Sequence, residues 1–192
     1  MNKVLSGIIG ICFLMIVFSG YITLDKKEID NIQMEKAYFA SGCFWGTEYH
    51  FMKAPGVVST TVGYMGGYTF APTYKEVCTG ITGHIETVEV TFNPEITTFE
   101  ILLRLYYETH DFEQVGGQGP DIGEQYQSVI FYVNENQKKM VEKYVQTLTD
   151  KGYKVATQLR PAPEFWKAEE YHQEYYDKKN GIPYCHAYKK IF

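Results

Sequence analysis

The chain has 192 residues, 45% of them hydrophobic and 21% charged, with a formal net charge of −5. That composition suits one compact folded domain plus a short extra segment and excludes intrinsic disorder. A negative balance without a basic stripe excludes nucleic acid as the main partner.

In chain order, Lys3 precedes an uncharged apolar run at residues 4–24, and a polar stretch, "DKKEID", follows it. One basic residue before a run long enough to cross a bilayer predicts a secretory signal or an uncleaved anchor. On that reading residues 1–36 are signal or anchor plus polar tether. Residues 37–192 are then the folded domain, exported or held at a membrane outside the cytoplasm. The alternative is a buried core helix and a cytoplasmic protein.

Residues 36–41 read as a short apolar strand, and "CFWGTEYHFMK" has helical potential up to Pro55-Gly56. Residues 57–64 are β-branched and predict a strand. Residues 65–83 form a long loop by their Gly, Pro and Thr content, and long loops in compact domains are often functional. Residues 84–92 alternate. Ile85, Thr87, Glu89 and Thr91 share one face, and His84, Glu86, Val88, Val90 and Phe92 the other. "TTFEILLRLYYETH" predicts a helix, with Thr97 and Glu100 at capping-box spacing. A second Gly-rich loop covers 111–127, and "SVIFYV" reads as a central strand. A helix follows, capped by Asn134 and stopped by Gly152. "YKVATQLR" reads as a last strand, and from Pro161 the chain turns irregular. The β-α-β-β-α-β order predicts an α+β fold with a ferredoxin-like split β-α-β core, long functional loops and an irregular C-terminal tail.

The cysteines Cys12, Cys43, Cys78 and Cys185 show no C-x-x-C pairing, so zinc-site spacing is absent. The three in the body cannot all pair with one another, which leaves at least one thiol free or transiently paired. Cys43 lies in "SGCFWG", between glycine and two aromatic rings. A strand before it and a helix after it put the sulfur in the first helical turn, where free N–H groups stabilise a thiolate. Phe44 and Trp45 wall an apolar pocket beside it. The plainer alternative is an inert buried thiol among core aromatics. Glu86 shares the apolar face of its strand, where desolvation raises its pKa and makes it a proton donor. Alternatively it emerges into solvent at the strand's start. Loop residues Tyr74 and Tyr126 offer phenolic donors, and Asp121 orients a loop or donor. Cys185, in a tail read as mobile, is placed to reach a distant oxidised sulfur or to serve as a surface thiol.

Together "GCFWG", "GYMGG", "PTYKEVCTGITGHIE" and "QGPDIGEQYQS", in that order, closely resemble peptide methionine sulfoxide reductase A, the family acting on the S epimer of methionine sulfoxide. The resemblance spans residues 36–185. It implies that Cys43 is the nucleophile and that Glu86 protonates the sulfoxide oxygen. It further implies that Phe44 and Trp45 hold the S-methyl group, that Tyr74 and Tyr126 bind the oxygen with Asp121 in support, and that Cys185 is the resolving cysteine. Substrates would be protein-bound or free methionine sulfoxide, and the enzyme a monomer. It would need no metal or organic cofactor, only a thioredoxin-like dithiol as reductant. Phe112 stands where Pro is common and Gln127 where Arg is usual, and no tail cysteine follows Cys185. Two rivals are a cysteine hydrolase, with His50, His84, His110, His172 or His186 as base, and a membrane-tethered binding module.

Overall fold

A computed structural model describes residues 33–192. The apolar run at 4–24, with Cys12, lies outside the described residues. Among the described residues no helix is long and apolar enough to cross a membrane.

The fold is α+β. Its elements are β1 (Glu35–Ser41), α1 (Phe44–Phe51), β2 (Val57–Met65), α2 (Tyr74–Val77), β3 (Ile85–Phe92), α3 (Phe99–Glu108), β4 (Gly117–Gln118) and β5 (Asp121–Ile122). After a 3₁₀ turn at Glu124–Tyr126 come β6 (Ser128–Tyr132), α4 (Glu135–Asp150), β7 (Gln158–Pro161) and β8 (Phe165–Lys167). A second 3₁₀ turn, Glu170–His172, and α5 (Tyr175–Lys178) follow. Six strands form one sheet in the order β7-β6-β1-β3-β2-β8, while β4 and β5 make a separate two-stranded ribbon. Every neighbouring pair in the main sheet is antiparallel except β6–β7. β3 therefore lies between β1 and β2, and α1 is the crossover of a split β-α-β unit.

Alternation along β1 and β3 divides the apolar residues between two cores. Ala37 and Phe39 of β1, and Val88, Val90 and Phe92 of β3, meet helix residues Phe51, Phe99, Leu102, Leu103, Val141 and Leu148. Phe39 is stacked on Phe51 and Tyr106, with ring centroids 4.6 and 5.3 Å away. Truncating such a ring costs about 3–5 kcal/mol. On the opposite face Ala40, Met65, Ile85, Val129 and Phe131 form a smaller cluster with Phe165 against it. Both faces of the strands that carry the site are thus covered, so groups placed on them are held rigidly and away from water.

Four expectations change. The N-cap of α3 is Thr98, not Thr97: Thr98 is extended and its hydroxyl accepts from the Ile101 N–H at 3.3 Å. Thr97 is itself buried, so its side chain goes inward rather than capping. The last predicted strand shrinks to β7, a parallel edge strand, because residues 153–157 make no ladder. β8, three residues long and paired to β2, is too short to show alternation. Finally, α2 breaks the first long loop. Its capping box, Thr73 with Glu76, was legible as T-x-x-E.

The irregular tail is tied down rather than mobile. The Glu108 carboxylate at the end of α3 accepts from the Ile191 and Phe192 N–H groups, at 2.9 and 3.0 Å, and from the Tyr188 hydroxyl at 3.0 Å. The Glu108 carbonyl accepts from the Lys189 N–H at 2.7 Å.

Candidate active site

β1 delivers Cys43 to the top of the sheet through a tight turn. Gly42 adopts φ +95°, and a Cβ there would collide with the Gln118 side chain. A Cβ on Gly46 would collide with the His186 ring. Glycine is therefore required at the first position by conformation and at both by close packing. The Ser41 and Thr47 hydroxyls bond each other at 2.7 Å and fasten the strand end to the helix.

Cys43 is the N-cap of α1 rather than a residue of its first turn, and its carbonyl accepts from the Gly46 N–H at 3.1 Å. Its thiol pKa is pushed up, first by burial and then by the nearby Glu86 carboxylate, and the Trp45 N–H opposes this only in part. Burial thus makes the free Cys43 thiol hold its proton more tightly than an exposed cysteine does, and the single amide donor offsets this only in part.

Glu86 is 1% exposed, so its solvent-facing alternative does not hold. It lies on β3 opposite Tyr64 of β2. One carboxyl oxygen, Oε2, accepts from the Phe44 N–H at 3.0 Å, which ties the acid directly to the residue after Cys43. The other, Oε1, is buried without a hydrogen-bond partner in the protein. Burial pushes its pKa up to about 8, against the Phe44 N–H and with the Asp121 charge. Near neutrality Glu86 is a carboxylic acid with a proton to give.

The phenols of Tyr74 and Tyr126 sit close enough to feel the Glu86 charge. Burial comes first in raising both pKa values, followed for Tyr74 by a hydrogen bond with Cys78 and for Tyr126 by Glu86. Both remain O–H donors. Tyr74 opens α2, and its backbone N–H donates to Glu169 Oε1 at 2.9 Å. Phe44 is fully buried and packs on His172 and Tyr64, with centroids at 5.0 and 5.9 Å. Trp45 is half-buried, stacked on Tyr175 at 3.7 Å, and its Nε1–H donates to His172 Nδ1 at 3.0 Å. The indole plane is thus fixed from two sides.

Cys185 is a free, half-buried thiol in the tail. Its charge, like that of Asp121, registers at Cys43, so the two sulfurs share one electrostatic enclosure. Burial and then Asp121 raise its pKa to about 11. Asp121 accepts from the Tyr184 hydroxyl at 3.2 Å on both oxygens and lies 3.9 Å from the Cys185 sulfur. Cys185 also lines a cleft of about 400 Å³ with His110, Asp111, Phe112 and Gln118.

The structure thus brings together Cys43, Glu86, Tyr74, Tyr126, Asp121 and Cys185, with Phe44 and Trp45 beside them. Among the described residues no hydrogen bond joins a histidine to the Cys43 sulfur, and after burial the largest influence on its pKa is Glu86. That is not the wiring of a cysteine hydrolase, in which a histidine base holds the nucleophile's proton. Sequence reasoning missed His172, Glu169 and Tyr175 as supports of Trp45 and Tyr74. The run "EEYHQEYY" at 169–176 concentrates aromatic, imidazole and carboxylate groups and was the available signal.

A buried acid and two free thiols in one enclosure fit a cysteine-based redox site. The family described as peptide methionine sulfoxide reductase matches residues 35–191. A Geobacter sulfurreducens protein named peptide methionine sulfoxide reductase MsrA is 47% identical over 155 residues, covering 79% of this chain and 96% of that protein. Mxr1 from Saccharomyces cerevisiae in reduced form gives a TM-score of 0.77 at 33% identity, over 83% of this chain and 94% of that one. The structure of Mxr1 in complex with Trx2 gives 0.56 at 24% identity, over 83% and 93% of the respective chains. The chain belongs to the peptide methionine sulfoxide reductase A family.

Proposed function

We propose that the protein reduces the S epimer of methionine sulfoxide, protein-bound or free, at Cys43 and is recycled by a thioredoxin-like dithiol. The observation that carries this reading is Glu86. It is a buried carboxylic acid bonded to the residue after the nucleophile, with its second oxygen unpartnered. A sulfoxide oxygen is the kind of acceptor such a proton serves.

In the first step the Cys43 sulfur attacks the sulfoxide sulfur while Glu86 protonates the oxygen, with Tyr74 and Tyr126 donating to it. The oxygen passes to the Cys43 sulfur as the sulfoxide S–O bond and the transient S–S bond break, methionine leaves, and Cys43 becomes a sulfenic acid. The new S–OH keeps the proton given by Glu86, and the Cys43 thiol proton goes to Glu86 and restores its acid form. Phe44 and Trp45 hold the S-methyl group, and oxygen donors on one side select the epimer. In the second step Cys185 attacks the sulfenic sulfur, water leaves, and a Cys43–Cys185 disulfide forms. An external dithiol then exchanges with it, reaching Cys185 from the cleft beside it. The yeast relative's complex with Trx2 supports a thioredoxin-like partner. The apolar run at 4–24 supports catalysis outside the cytoplasm, and protease protection of the domain in intact cells tests that.

One turnover with resolved epimers of a methionine sulfoxide peptide tests the reading. One methionine per enzyme from the S epimer and a Cys43–Cys185 bridge by mass spectrometry are expected. Equal turnover of both epimers removes the selectivity, and a bridge lacking Cys43 removes the nucleophile.

A further inference from the structure

The residue after the resolving cysteine is His186, which is 2% exposed although it lies in an irregular tail. Its ring fills the space above Gly46, where a Cβ would collide with it. Nε2 lies 2.7 Å from the carbonyl oxygen of Ser41, two residues before Cys43. A carbonyl only accepts, so Nε2 carries the proton and donates. In the neutral ring that leaves Nδ1 with a free lone pair. Nδ1 lies 3.1 Å from the Cys185 sulfur, so the Cys185 S–H donates to it. One imidazole therefore fixes the tail against the strand end that carries Cys43 and accepts the proton of the second thiol.

We propose that His186 is the proton acceptor for the resolving step. The assignment rests on the reading of Cys43 and Cys185 given above. As Cys185 attacks the Cys43 sulfenic acid, its proton passes to His186 Nδ1, the S–S bond forms and the S–O bond breaks. The departing hydroxide takes the proton from the imidazolium and leaves as water, and His186 returns to its neutral form. The Cys43 sulfur is reduced and the Cys185 sulfur oxidised, so no external electrons enter.

The surroundings fit this role. Desolvation, opposed by the Ser41 carbonyl and reinforced by His50, lowers the His186 pKa to about 4, so the acceptor lone pair persists through the neutral range. Such a weak base takes the proton in concert with S–S bond formation rather than ahead of it. The groups facing His186 are Ser41, Thr47 and the ring of His50, which bonds the His186 carbonyl at 2.8 Å, together with Cys185 itself. His110 also registers on it, as one buried neutral ring beside another. Asp121 is the other acceptor near Cys185, but it stands 3.9 Å away, and its charge disfavours the thiolate.

The test separates anchoring from proton acceptance. In His186→Gln the amide Nε2–H keeps the donation to Ser41, and Oε1 can accept a hydrogen bond from Cys185 but is too weakly basic to take its proton. The enzyme is mixed with methionine sulfoxide, and methionine release and sulfenic acid decay are followed separately. A parallel run forms the sulfenic acid with hydrogen peroxide, so that failure of the sulfoxide reading does not mask the result. His186→Gln is expected to resolve about 10²-fold more slowly near neutral pH. Its rate should climb about tenfold per pH unit, because only pre-formed thiolate then attacks. The wild-type decay is expected to stay level between roughly pH 6 and 9, where His186 is neutral. Resolution by His186→Gln at the wild-type rate overturns the proposal and leaves an anchor. If that variant does not fold, a wild-type decay that itself climbs tenfold per pH unit overturns it.

Discussion

The two thiols of the site are protected in different ways. Cys43 sits on the rigid part of the molecule, at the junction of β1 and α1, and its neighbours are a carboxylic acid and an amide. Cys185 sits on a tail without regular structure, held by hydrogen bonds to Glu108, and its neighbours are an imidazole and a carboxylate. Both sulfurs rest protonated, yet the protons have different destinations. At Cys43 the acid beside the sulfur is placed to give a proton to a bound oxygen. At Cys185 the base beside the sulfur is placed to remove one. Two thiols with similar resting states can therefore act in sequence without competing for the same step.

Substitutions break this comparison in decreasing order of effect. Cys43→Ser removes all chemistry, and no methionine should appear even at stoichiometric enzyme. Detectable reduction by that variant would falsify the nucleophile assignment. Cys185→Ser leaves one equivalent of methionine per enzyme but stops cycling with thioredoxin. Steady turnover with thioredoxin would show that another sulfur resolves the intermediate.

Glu86→Gln slows single-turnover methionine formation by about 10²-fold or more. In the wild type the same rate should fall as pH rises through about 8, where Glu86 loses its proton. A pH-independent first step would remove Glu86 as the acid. The same substitution also raises stability. A carboxyl whose folded pKa lies above its unfolded value favours the folded state below the unfolded value and loses that advantage as pH rises through the folded one. The melting-temperature gain of Glu86→Gln should therefore grow from pH of about 4.5 to about 8 and then level off. The smallest effect is expected from Asp121→Asn. Removing that charge should lower the Cys185 pKa by about one unit or less, read from the pH dependence of its alkylation rate. An unchanged profile would mean that burial alone sets it.

Strands β1 and β6 were legible as short apolar runs, and strand β3 and helices α3 and α4 because their apolar residues repeat with the period of the element. Glu86 was legible on its face for the same reason. The protonation state of Cys43 was not, because it depends on how much surface the tail and β4 cover, and that is long-range information. His186 carried no local signal either. A histidine beside a cysteine in an irregular stretch reads as surface until the Gly42–Gly46 turn is seen beneath it. Thr97 and Thr98 are equivalent in sequence, and only the direction of the chain entering α3 decides between them.

The tail that seats His186 over Gly46 also makes the last residues of the chain a wall of the site. Cutting the chain after Tyr184 would remove Cys185, His186 and the partners of Glu108 together, so the turn around Cys43 would lose its cover along with the second thiol.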